Sequence, residues 1–215
     1  MSVTAINPWI LVKTLMTIQP KILVALLIAL ASMNVLAEAS QSEAAPVKIG
    51  IVDKSGAKLA LSFLPPEEDG WQVTNNGLSA SVKKDGALAG ENREIEAYLI
   101  TLDTPVMPIS DFIERLKKNI QDAFDAGNGF KLVILDIFED PRDRRCARMH
   151  LLLEDMRASN QQRKWSEQYA LSCGSLKYRR IGFEIRYYNR YYESQNDEHF
   201  AAQATKVLDS VVFED

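Results

Sequence analysis

Two cysteines and two histidines are all that the 215-residue chain offers to soft-metal or nucleophile chemistry. Two cysteines cannot furnish a cysteine-dense scaffold or a four-cysteine zinc site. His150 lies four residues from Cys146, and His199 has no histidine or cysteine near it, so no metal-ligand spacing emerges. The ten glycines form no G-x-x-x-x-G-K-[ST] loop, no G-x-G-x-x-G turn and no G-x-S-x-G elbow. The usual nucleotide-binding and acyl-transfer frames are thereby excluded. Cys173-Gly174-Ser175 stands outside any such frame and reads as a turn after a strand. On these grounds no cofactor, no metal and no catalytic residue is expected.

What is present has the usage of a packed globular protein, with 47% hydrophobic and 25% charged residues and a formal net charge of -4. The first 40 residues differ from the rest. Lys13 and Lys21 precede an apolar run over residues 22–37, which gives way to small residues. A positive segment, a short apolar core and a small-residue exit read as a secretory signal peptide over residues 1–37, with cleavage after Ala37 or, at Ala37-Glu38-Ala39, after Ala39. Translation could begin at Met1 or at Met16. As an uncleaved anchor the apolar run would span roughly 24 Å, short of the roughly 30 Å hydrocarbon core. A periplasmic or secreted protein is therefore expected, touching the membrane only through the leader if that stays attached. Residues 38–46 read as a flexible tether, and residues 47–215 as a single domain.

Export changes the meaning of the cysteines, because a lone pair in an oxidising compartment is most simply a disulfide. Residues 147–156 and 164–171 read as two strands around a polar stretch. If Ser159-Asn160 centres that turn, antiparallel partners have numbers summing to 319, and Cys146 then faces Cys173. Free buried thiols and a redox pair are the alternatives, although no C-x-x-C is present.

Further strands are expected at 47–52, 57–63, 71–74, 78–83, 94–102, 130–138 and 181–187. One helix follows Ser110, with Phe112, Ile113, Leu116, Ile120 and Phe124 as its apolar stripe and Gly127-Asn128-Gly129 as its stop. Over 196–212, Phe200, Ala204, Val207, Leu208 and Val211 share a second helical face. Short connections make the sheet largely antiparallel, so the expectation is an α+β domain in which two or more helices cover a twisted sheet.

Phe63-Leu64-Pro65-Pro66 with Trp71, the helix after a loop containing Pro105 and Pro108, the long meander, and the ending Leu208-Asp209-Ser210-Val211-Val212-Phe213 follow a recognisable order. That order resembles the PsbP/Mog1-like exported bacterial proteins. The resemblance implies an α/β/α sandwich and a role in binding or assembly more than catalysis, and it carries over no site residues. The cysteine pair and a long Arg/Tyr-rich strand depart from it.

Charge is unevenly distributed. Residues 142–190 carry 12 basic and 5 acidic side chains, whereas residues 38–141 carry 10 and 18, and residues 191–215 carry 1 and 6. The basic block holds Arg145 and Arg148 beside the first cysteine, then Tyr178, Arg179, Arg180, Arg186, Tyr187, Tyr188 and Arg190. Arginine and tyrosine together suit protein interfaces, and the arginine fork suits carboxylates and phosphates. The competing reading is that these arginines neutralise the protein's own acids. The function expected is that of an exported, non-enzymatic binding or interaction protein, such as an immunity or inhibitor protein or an envelope assembly factor. Its partner would be an acidic protein or an anionic envelope component and not nucleic acid, while oligomeric state is left open. The alternative is a hydrolase of an envelope polymer using carboxylates such as Glu94 and Glu96, which share a strand face.

Overall fold

The computed structural model describes residues 45–52, 56, 58–86, 91–103, 105–125, 129–158 and 162–215. The expected signal peptide, most of the expected tether and the Ser159-Asn160 turn lie outside the described residues. The elements are β1 (Val47–Val52), β2 (Lys58–Phe63), β3 (Gln72–Asn75), β4 (Ser79–Asp85), β5 (Asn92–Thr101), α1 (Ile109–Asp125), β6 (Phe130–Glu139), β7 (Cys146–Asp155), β8 (Lys164–Gly174), β9 (Ile181–Tyr192), α2 (Phe200–Asp209) and β10 (Val212–Glu214).

The α+β, α/β/α expectation is corrected. The described residues are 51% strand and 19% helix, in two antiparallel sheets. The large sheet has the order β3-β4-β5-β9-β8-β7-β6, and the small one β1-β2-β10. Two features of the sequence account for the difference. The end of the chain, expected to be helical through residue 212, stops being so at Asp209. The β-branched and aromatic Val212 and Phe213 instead pair with Ser62 and Leu61 of β2. The first hairpin, β1–β2, thus gains a third strand of its own and packs as a separate layer rather than joining the central sheet.

One face of the large sheet carries Val82, Ile95, Ala97, Leu171, Phe183, Ile185 and Tyr187. These join Ile49, Leu59, Leu61 and Phe63 of the small sheet and Phe200, Ala204, Val207 and Leu208 of α2 in the main core. Helix and sheet therefore share the task of covering this face. The backbone ties the two sheets together as well, since Gly50 N donates to Gly77 O at 2.8 Å.

The other face is only partly covered. The stripe Ile109, Phe112, Ile113, Leu116 and Ile120 sets α1 over Leu135, Ile137, Ala147 and Met149 of β6 and β7. To reach that edge from β5 the chain must cross β9 and β8, and it does so at their ends. A Cβ at Gly174 would stand 1.8 Å from Val106 Cγ2, so glycine is what admits the crossing chain. Among the described residues no element covers the middles of β4, β5, β9 and β8 on this side.

Each β7–β8 pair obeys the register expected from the cysteines, from Cys146↔Cys173 to Glu154↔Trp165. The two sulfurs form a disulfide, buried in the main core.

Candidate functional site

Eight of the nine residues singled out in the basic block separate into three groups, and Tyr187 stands apart. Arg145 and Arg148 lie at the β6–β7 turn and are absorbed by the protein's own acids. Asp140 is 1% exposed. It accepts from Arg148 Nε at 2.6 Å and from Arg142 Nη2 at 3.1 Å, and its Oδ1 caps the Arg142 backbone N–H at 2.7 Å. Arg148 also bonds Asp209, and Arg142 donates to the last carbonyls of α2, Leu208 O and Asp209 O. Positive charge at a helix C-terminus complements the helix dipole. Arg145 is clamped by Asp143 at 2.7 Å and reaches Asp215 at 3.4 Å. Burial alone would raise the Asp140 carboxyl, but the hydrogen bonds from Arg142 and Arg148 outweigh it and hold it below its usual value. Asp143 is lowered chiefly by its bond from Arg145.

Arg186, Tyr188 and Arg190 form the second group, on the uncovered face. Tyr187 does not belong with them. Successive strand residues face opposite ways, and Tyr187, 0% exposed, lies in the main core against Phe200, with burial pushing its phenol up to about 12. The open face is not basic either. Across β5, Glu96 opposes Arg186, Glu94 opposes Tyr188, and Tyr98 opposes Glu184. Arg186 bonds Glu184, Tyr188 donates its hydroxyl to Glu94, and Tyr98 donates to Glu184 at 2.9 Å. Ser172 and Ser81 complete the pattern, at 2.8 Å to Glu184 and 2.7 Å to Glu94. Arg186 is thus met by Glu184 of its own strand and faces Glu96 across the ladder, while Arg190, opposite Asn92, stands 5.3 Å from the Tyr188 ring centre.

The third group sits on the turn between β8 and β9. Arg179 and Arg180 are exposed there with Lys177, and among the described residues none of the three side chains meets a carboxylate. Tyr178 is half-buried against the core beneath Lys177, whose Nζ stands 5.1 Å from its ring centre. The turn is well anchored. Asp215 accepts from Ser175 Oγ at 2.6 Å and Leu176 N at 2.8 Å, Ile181 N donates to Tyr178 O at 2.7 Å, and the disulfide lies two residues before Ser175. Leu176 at its tip is 58% exposed.

Of the two carboxylates singled out in the sequence, Glu94 is engaged by Ser81 and Tyr188, while Glu96 accepts no hydrogen bond from any described residue. Burial and then the neighbouring Glu94 raise the Glu96 carboxyl above its ordinary value, partly opposed by Arg186 and Arg190. Glu96 borders a shallow, open depression of about 280 Å³ with Thr74, Asn76, Ser79, Ser81 and Tyr98. The small polar residues of that depression escaped the sequence reading, although Ser79 and Ser81 recur at the two-residue period that puts side chains on one strand face. No group of three or more histidine, cysteine, aspartate or glutamate side chains among the described residues could share a metal ion, and no described helix is long and apolar enough to cross a membrane.

Comparison with protein-family models and with curated proteins finds no match. Function must be argued from the sites themselves.

Proposed function

We propose that this is an exported, non-enzymatic interaction protein that meets an acidic partner through the β8–β9 turn. The observation that carries the reading is the charge state of that turn. Lys177, Arg179 and Arg180 are the cluster of cations in the basic block that the described acids do not neutralise, and they flank the exposed Leu176. A fixed cluster of like charge draws an oppositely charged partner and sets its orientation. The anchoring of the turn by Asp215 and the nearby disulfide means that little ordering entropy opposes binding. The buried disulfide and the leader-like first 37 residues support export, since such a bond persists in an oxidising compartment.

The test replaces Lys177 with a photo-crosslinking residue in the producing cell and compares the protein with its Arg179→Glu/Arg180→Glu variant. The expected result is an acidic adduct, with capture roughly tenfold weaker in the variant and in raised salt. The variant's melting point should be unchanged, because surface substitutions of unpaired charges alter stability by less than about 0.5 kcal/mol. Equal capture by the charge-reversed variant, or adducts only from a crosslinker placed at Arg190, would refute the assignment to the turn.

A further inference from the structure

The depression beside Glu96 is independent of the basic turn and has a different chemistry. Its walls offer a phenol, a carboxylate, an amide and three hydroxyls, and no cation. Tyr98 is held in place from the far side, with its hydroxyl donated to Glu184 at 2.9 Å and the Arg186 guanidinium 5.3 Å from its ring centre. Its ring is thereby a fixed platform rather than a mobile cover. Ser81 is oriented by its bond to Glu94, and Ser79 by its bond to the Asn76 side chain at 3.2 Å. Glu96 is the exception within this ordered surround, because its oxygens meet no donor among the described residues. Groups already ordered in the free protein, set around one acceptor without a donor, suit a ligand that brings several hydroxyl donors of its own.

Three features narrow the ligand. The donor-free carboxylate of Glu96 and the hydroxyls beside it disfavour a wholly apolar molecule although Tyr98, Ala80 and Ala97 also line the depression, and Glu94 and Glu96 together disfavour an anion. The size, about 280 Å³, lies at the lower edge of small-molecule sites, which occupy roughly 300–1,000 Å³. Because the depression is open along the sheet, it suits one unit of a longer chain better than an enclosed metabolite. We propose that this depression is a saccharide-binding subsite, in which Glu96 accepts hydrogen bonds from sugar hydroxyls while Tyr98 supports the apolar face of the ring and Thr74 and Asn76 bound its outer edge. A sugar is both polyhydroxylated and flat on its C–H face, so carboxylate beside aromatic is the pairing that reads both properties. The raised carboxyl of Glu96 agrees with an acid that lacks the donors a bound sugar would bring.

Nuclear magnetic resonance titration of the purified, isotope-labelled protein with chitotetraose, and separately with maltotetraose, tests this. At least one should give saturable shifts confined to β3, β4 and the Glu96–Tyr98 part of β5. Glu96→Gln should weaken that binding about tenfold, as expected for loss of hydrogen bonds to a charged acceptor. It should leave the melting point at pH 7 no lower than before, because a carboxyl with a raised pKa is one whose charge folding disfavours. Thr74→Trp, on the exposed edge strand, should block the depression without touching Glu96 and abolish the shifts. Absence of saccharide-dependent shifts with both probes, shifts mapping elsewhere, or unchanged affinity in both variants would overturn the proposal. None of these outcomes bears on the basic turn, which lies outside the depression's lining, beyond the last β5–β9 pair Thr101↔Ile181.

Discussion

Replacing both cysteines by alanine tests the join between hairpin register and stability. Cys146 and Cys173 are 27 residues apart, and closing a loop of that length removes chain entropy from the unfolded state worth about 3.5 kcal/mol. For a domain of this size each kcal/mol shifts the melting point by about 2–4 °C, so the double variant should melt about 7–14 °C lower. Alanine is the informative substitution. Both sulfurs lie in the main core, where serine would leave a buried hydroxyl and add a desolvation cost of about 1–3 kcal/mol. Urea titration separates the effects further. Without the link the unfolded chain is more expanded, so the slope of free energy against urea should rise as the midpoint falls. Native protein unfolded in urea with a reductant should match the double-alanine variant, whereas folded protein should resist reduction because the bond is buried. A melting point within about 2 °C of the parent, with an unchanged slope, would refute the entropic account. It would place the register instead on the strand pairs Ala147↔Ser172 and Leu171↔Arg148 alone.

Asp140→Ala removes the wholly enclosed carboxylate shared by Arg142 and Arg148, and because both arginines keep contacts with Asp209 the loss is that of charged hydrogen bonds, about 1.5–3 kcal/mol. Chemical denaturation should show this cost, and adding Arg148→Ala should then cost less than the two single changes together; strict additivity would mean that the network does not act as a unit. The same acids set the response to pH. The Asp140 and Asp143 carboxyls are held below the ordinary aspartate value of 3.8 when folded, so their contribution is complete above that value and is lost as pH falls through the folded values. Urea midpoints should therefore drop as the pH is taken below about 4, and the drop should be smaller in Asp140→Asn; identical acid profiles for the two proteins would contradict this.

Several elements were legible in the sequence because their signals are local. The span 47–52 and the starts of β6, β8 and β9 coincide with their expected positions, since apolar alternation and turn residues act over a few positions. The register of β7 and β8 followed from two cysteines and one turn. The layer arrangement did not, because it depends on which strands pair at long range. Nothing local to Lys58–Phe63 announces that Val212–Glu214 will join it from the far end of the chain. The helical face read over 196–212 was partly correct, since Phe200, Ala204, Val207 and Leu208 do point into the core, but the same apolar residues at 211–213 serve a strand equally well.

The basic block shows why charge read along a chain differs from charge on a surface. Within β9 the arginines are interspersed with tyrosines, yet Arg186 has Glu184 two positions before it on the same strand face and Glu96 opposite it on β5, and directly opposite strand residues stand only about 5 Å apart. Arg186 is set opposite Glu96, from a segment some ninety positions earlier, and Arg148 meets Asp209 from sixty-one positions later. Folding therefore redistributes an excess of positive charge along the sequence into locally balanced pairs. On the β8–β9 turn Lys177, Arg179 and Arg180 meet no carboxylate among the described residues, and on β5 Glu96 has its carboxylate neighbour Glu94 on one side and the depression on the other. At both candidate sites, charged side chains lack a hydrogen-bonded counter-charge among the described residues. Net charge over a window locates neither of them.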